Sequence, residues 1–249
     1  MSISVSFKDD VFALDKLELP TRYYYFEDIE NYIKLLSIGE GIFPKDKIRT
    51  NISLENSNVI FTTESATKIY PSKKEFGVNS INITLKNSNL EFINDELILF
   101  KDAKLLQLLK IKADKNSTFF YGDILSHGRS YENFDFTNMS AKNSFYCEDN
   151  LEYLEKYYVS GTELKNYIQD NNSSNNILAK IYIKTKNNEY FLDNLKENSN
   201  QSFSYTSKKK MIIGVISATN MSKLKNEVLV IWALYRRNLN KKEFNLGKQ

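Results

Sequence analysis

The chain has 249 residues, of which 41% are hydrophobic and 26% charged, an ordinary composition for a soluble globular protein. A net charge of +3, spread along the chain, is too slight for a nucleic-acid face. One cysteine and one histidine exclude an internal disulfide and any zinc cage of His and Cys, and a Ser-His-Asp or Cys-His catalyst would have to run through His127.

The opening M-S-I-S-V-S-F-K-D-D-V-F has no basic stretch ahead of an apolar one, which predicts no secretory signal and a cytoplasmic protein. The longest apolar run, 228–235, falls far short of a membrane span. Only 8 Gly and 3 Pro are present, so turns must come from another residue, and Asn, which tolerates the left-handed region, is the candidate.

The repeats carry the fold signal. Residues 51–62 read N-I-S-L-E-N-S-N-V-I-F-T, 82–93 read N-I-T-L-K-N-S-N-L-E-F-I, and 110–121 read K-I-K-A-D-K-N-S-T-F-F-Y. An Asn-Ser pair recurs at Asn56-Ser57, Asn87-Ser88 and Asn116-Ser117. Each unit reads as strand, polar turn, strand. Ile52/Leu54, Ile83/Leu85 and Ile111/Ala113 share one face, followed by Phe61, Phe92 and Phe119 or Phe120. A unit repeating every ~30 residues predicts stacked β-strands, because one unit cannot bury its apolar face alone. The irregular stretches between units, 39–47, 66–76, 97–104 and 126–134, then gather on one side as a working surface.

Residues 141–159 fit either a helix or a hairpin, and 170–176, D-N-N-S-S-N-N, read as a polar loop. Strands are predicted at 177–183, 203–206 and 211–218, with a short helix at 189–195. Asn220 or Ser222 caps a final helix whose apolar face is Leu224, Val228, Ile231, Trp232 and Tyr235. The fold class is therefore mainly β, a solenoid-like stack with two helices in the C-terminal third. Residues 1–160 form the stacked body, and 161–249 a β/α portion packed on it as one domain.

Chemistry-bearing residues are few. No phosphate loop follows Gly39-Glu40-Gly41. Asp46, Glu64, Glu91, Asp95, Asp123 and Glu132 fall in or beside the irregular stretches. Carboxylates on a β-solenoid can run acid/base chemistry on polysaccharides or guide a divalent cation weakly by oxygen contacts. Composition and motif favour a β-rich binding body over an enzyme and leave its partner open.

These stretches resemble the urease accessory protein family UreD, also called UreH. Residues 62–70, T-T-E-S-A-T-K-I-Y, resemble the family's T-x-x-A-[ST]-K-[IF]-Y segment. Residues 38–46, I-G-E-G-I-F-P-K-D, lie where the family has a Gly-rich run ending in Asp. Leu90-Glu91-Phe92 with 95–103, and Asp123-Ile124-Leu125 with Gly128-Arg129, resemble two further segments, and Ile231-Trp232 with Arg236 the C-terminal helix. The series covers roughly 20–240 in the family's order. The Gly-rich run is reduced to Gly39 and Gly41, Pro71 stands where a basic residue is usual, and Glu96 where Pro is common.

The resemblance implies a solenoid-like β fold with two helices and favours the hairpin at 141–159. It implies a non-enzymatic role: joining UreF-like and UreG-like (GTPase) partners, docking on apo-urease, and delivering nickel to its lysine-carbamate site. Nickel would be bound transiently, with no cofactor held tightly. Asp46, Glu64, Asp95 and Asp123 are the candidate nickel route. Gly39, Gly41, Ala66, Thr67, Lys68, Tyr70, Gly128 and Arg129 carry the family motifs, with Thr67 and Lys68 shaping or gating that route. Trp232, Tyr235 and Arg236 are candidates for partner contact. The alternative is a carbohydrate-active β-solenoid enzyme with paired carboxylates.

Overall fold

The Asn-Ser repeats form the corners of a two-sheet β-solenoid, seen in a computed structural model that describes residues 1–27, 29–37, 41–128, 132–170, 177–195 and 200–247. The strands are β1 (Ser2–Lys8), β2 (Val11–Leu17), β3 (Thr21–Phe26), β4 (Asn31–Ser37), β5 (Lys47–Glu55), β6 (Asn58–Thr63), β7 (Thr67–Ile69) and β8 (Gly77–Lys86). They continue as β9 (Asn89–Leu99), β10 (Lys104–Ala113), β11 (Thr118–Ser126), β12 (Asn138–Cys147) and β13 (Asn150–Val159). After helix α1 (Gly161–Asp170) come β14 (Ile177–Lys184), α2 (Asn188–Asp193), β15 (Gln201–Tyr205), β16 (Ile212–Ala218) and α3 (Met221–Asn238).

The first sheet has the order β13-β12-β10-β8-β5-β1-β2, and the second β15-β16-β14-β11-β9-β6-β4-β3, with β7 paired to the far half of β9. Successive units climb in parallel: β5, β8, β10 and β12 in one sheet, β4, β6, β9 and β11 in the other. Register places Ile52, Ile83, Ile111 and Phe145 in one row facing the core, all nearly inaccessible to solvent.

The turns explain the low glycine content. Asn56 and Asn87 adopt φ of 49° and 47°. The Ser57 amide donates to Ser88 Oγ at 3.0 Å, the Ser88 amide to Ser117 Oγ at 3.1 Å, and Asn87 Nδ2 to Asn56 Oδ1 at 2.9 Å. Each turn therefore satisfies the buried backbone donor of the turn before it, which a lone repeat could not do.

The third turn is one residue longer, since Ala113 pairs with Leu85 while Ser117 bonds to Ser88. That insertion shifts the aromatic row: Phe61 and Phe92 align with Tyr121, not with Phe119 or Phe120. Phe119 aligns with Leu90, and Phe120 turns outward toward α3.

Residues 141–159 form the hairpin β12–β13. Among the described residues three helices are present where two were expected. The additional one, α1, has a capping box in which the Glu163 amide donates to Ser160 Oγ at 3.1 Å and the Ser160 amide to Glu163 Oε2 at 2.7 Å. The short helix runs Asn188–Asp193, capped by Asn187, and α3 is capped by Asn220, whose side chain accepts from the Lys223 amide. Most of the predicted loop at 170–176 lies outside the described residues.

Three apolar clusters result. One fills the space between the sheets, and one lies between the outer face of the second sheet and α3. A third, around Ile42, Ile69, Leu99, Ala103 and Phe134, holds the irregular corners together, with Leu164 and Ile168 of α1 against it.

Candidate functional site

The corners stack on one side, opposite the Asn-Ser turns. Ile42 bridges to Ile69, β7 pairs with the end of β9, and Pro71 bridges to Ala103. The Phe43 ring lies on Tyr70 at 4.3 Å and 11°, and Tyr70 meets Phe100 edge-on at 5.1 Å. Gly41 is required here: at φ 149° its backbone passes so close that a Cβ would sit 2.2 Å from the Lys68 carbonyl oxygen, which accepts from the Ile42 amide at 2.8 Å. Gly128, at φ 112°, makes a comparable approach to Glu132. Gly39 and Arg129 lie outside the described residues.

Behind these corners a chamber of about 160 Å³ opens between the two sheets. Gly41, Ala66, Thr67 and Lys68 line its outer end, and Thr21, Thr50, Asn79 and Asn94 line it further on. Thr21 Oγ1 is buried there with no hydrogen-bond partner among the described residues, the mark of a polar rather than a dry cavity. On the outer side of the second sheet a groove of about 1080 Å³ runs beneath α3 and includes Glu64, Asp95, Glu96 and Lys225. Ser65, Ala66 and Asn94 border both spaces.

The four candidate carboxylates do not converge. Asp46 closes its own turn by accepting from the Phe43 amide at 3.0 Å. Glu64 pairs with Lys34 at 3.1 Å on the surface. Asp95 pairs with Lys225 at 3.2 Å, and Glu96 with the same ammonium at 2.7 Å. Burial alone would lower the Lys225 ammonium, but Glu96 and Asp95 outweigh it and hold it above its ordinary range.

Asp123 sits deeper. It accepts from Asn94 Nδ2 at 2.8 Å, Gln107 Nε2 at 2.9 Å and Tyr121 Oη at 3.2 Å. Burial pushes its carboxyl up to about 6, against the pull of those bonds and of Lys180. Asn94 thus touches the chamber, the groove and Asp123 at once, a junction that the sequence reading missed because an asparagine in a strand carries no signal of its own.

Among the described residues, no three His, Cys, Asp or Glu side chains are grouped so that they could hold a metal ion. What the junction offers is neutral amide and hydroxyl oxygens, weak ligands for a divalent cation, with the Asp123 carboxylate behind Asn94 and lining neither space.

The partner-contact candidates need correction. Trp232, Tyr235 and Arg236 are 3%, 0% and 1% exposed, so none presents a surface. They fasten α3 to β9 instead. Trp232 Nε1 donates to Glu91 Oε2 at 2.7 Å, Arg236 Nη1 to the same oxygen at 2.6 Å, and Tyr235 Oη to Asn89 Oδ1 at 2.6 Å. Lys241 Nζ reaches Glu91 Oε1 at 2.9 Å, and Arg236 also pairs with Glu30. One face of α3 serves the chain's own sheet, while Leu229 and Val230 of the same apolar run are 39% and 48% exposed.

No helix among the described residues is long and apolar enough to cross a membrane. Comparison with known proteins agrees with the motifs. The family described as UreD urease accessory protein matches residues 21–246. The urease accessory protein UreD of Aliarcobacter butzleri (strain RM4018) is 66% identical over 250 residues, covering 100% of both chains. That of Bacillus sp. (strain TB-90) is 31% identical over 135 residues, 53% of this chain and 50% of the relative. The one from Staphylococcus aureus (strain bovine RF122 / ET3-1) is 30% identical over 146 residues, 57% of this chain and 52% of the relative. With its ordered motifs, its stacked β fold and a match across nearly its whole length, the chain belongs to the UreD family of urease accessory proteins, an accessory rather than a catalytic group.

Proposed function

We propose that the chain acts in the cytoplasm as a scaffold of urease maturation, joining UreF-like and UreG-like partners, docking them on apo-urease, and letting nickel pass to the active site. Nickel is cargo in this reading, not a resident cofactor. The observation that carries it is the Asn94 junction, where the interior chamber, the groove under α3 and Asp123 meet. Oxygen ligands without His or Cys suit transit, because a soft, tight site would retain the ion.

In this reading Thr67 and Lys68, which line the chamber, shape entry, and Glu64 and Asp95, which line the groove, offer oxygen contacts there. Asp46, committed to its turn, contributes to the corner rather than to the path. The test is co-expression of the urease subunits and the partner proteins with and without this chain. Co-purification of the chain with that assembly, and urease activity that depends on it, are expected. Full activity in its absence would contradict the proposal.

A further inference from the structure

One end of the stack is unfinished. β2 ends the first sheet and β3 ends the second, and among the described residues each is paired on one side only, with β1 and β4. The two edges face each other across the core: the Phe12 ring stacks on Tyr25 at 4.5 Å and meets Tyr23 at 5.6 Å.

Phe12, Leu14 and Leu17 pair with Phe7, Val5 and Ile3, so they lie on the inner, core-facing side of the sheet. Yet Leu14 and Leu17 are 39% and 42% exposed, because no further strand covers them. Val11, Leu19 and Ile29 add apolar surface around the same end. Seven of the sixteen exposed large apolar side chains among the described residues fall between 11 and 29; Leu14 and Leu17 share the inner face of β2, whereas Tyr24 and Phe26 alternate with the core-facing Tyr23 and Tyr25 and lie on the outer face of β3. A stack end normally carries a polar outer face, and an open edge blocking charge or proline; β2 has Asp15 and Lys16 and Pro20 precedes β3, yet Leu14 and Leu17 remain uncovered.

The charge around this end selects its occupant. Between residues 9 and 27 the acids are Asp9, Asp10, Asp15, Glu18 and Glu27, against Lys16 and Arg22, while the whole chain is +3. The opposite end is mixed: β13 and its turn carry Glu148, Asp149, Glu152 and Glu155, but Lys210 pairs with Glu148, Lys180 with Glu155, and Lys208 and Lys209 follow β15, the edge of the second sheet. A head-to-tail pairing of two copies is therefore a competing occupant that the test must separate from a partner segment.

We infer that the β2/β3 end is a docking site for a partner protein's extended segment, apolar at alternate positions and rich in Lys or Arg. The segment would add a strand to β2, cover Leu14 and Leu17, and meet the acids at the rim. β1 and β2 precede residues 21–246 matched to the family, while β3 lies within them.

The test uses the full chain and two synthetic peptides, one alternating valine and lysine, the other valine and glutamate. The lysine peptide is expected to bind at least tenfold more tightly, to protect the backbone amides of 11–17 from hydrogen exchange, and to weaken with salt. Leu14→Lys is expected to abolish binding. Val11→Lys, at a position 70% exposed and so safe for folding, is expected to weaken it severalfold. Equal binding of both peptides, no protection of 11–17, or a self-dimer dissociated by Leu14→Lys would overturn the inference.

Discussion

Arg236 on the last helix and Glu91 on a central strand meet at 2.6 Å, with 1% and 0% of their side chains exposed. Glu30 and Lys241 complete the group, so two carboxylates and two cations share one buried site. Breaking such a pair from one side leaves a charge stranded in the interior. Arg236→Ala is expected to destabilise the fold by about 3–5 kcal/mol, read as a lowered denaturant midpoint. The double change Glu91→Leu with Arg236→Met is expected to cost much less than the sum of the single changes. Additive costs would show that the charges act independently.

The serine ladder gives a second expectation. Ser88 Oγ accepts from the Ser57 amide and donates to the Lys86 carbonyl at 2.7 Å. Ser88→Ala strands a buried donor and should cost about 1–3 kcal/mol. At the neighbouring Asn87, whose φ is 47°, replacement by Gly should be nearly neutral, and replacement by Val should cost more than ~1 kcal/mol. Thermal or chemical unfolding of the three variants distinguishes them, and an equal response to Gly and Val would contradict the turn assignment.

Asp123 supplies a pH dependence. Its carboxyl titrates near 6 in the fold, above the ordinary 3.8, so the native state holds this proton after the unfolded chain has released it. Stability from this group is therefore greatest below about pH 4, falls as pH rises toward 6, and stays low above that. Unfolding measured across pH 4 to 7 should show this downward contribution in the wild type, and Asp123→Asn should remove it. Identical pH profiles would place Asp123 in a solvated setting.

Much of this was legible in the chain. The Asn-Ser spacing identified the corners, and period-two alternation identified Ile52, Ile83 and Ile111 as one row. The one-residue insertion in the third turn, readable in the five positions from Ile111 to Asn116 against four from Ile83 to Asn87, was overlooked, and it moved the aromatic row to Tyr121. Helix α1 was missed because only Leu164 and Ile168 mark its buried side, although the S-x-x-E box at Ser160 and Glu163 announced its start.

For the last helix, spacing showed which face is buried but not against what. Arg236 continues the stripe of Val228, Trp232 and Tyr235, and Glu91 interrupts an apolar strand. Those two misplaced charges, taken as a pair, were the available signal. The chamber had none, because its walls mix threonines and asparagines with aliphatic residues such as Leu35, Ile48 and Ile81, drawn from strands distant in sequence.

The central claim, that nickel reaches urease by way of this interior, is tested most directly by counting nickel per urease active site after activation with an obstructed chain. Ala66→Phe, at the border of chamber and groove, and Asp123→Ala, at the junction, are the variants, with pull-down of the partners as the control. The account expects intact complexes and urease left largely without nickel. Intact complexes with full nickel occupancy would contradict it and reduce the chain to a scaffold.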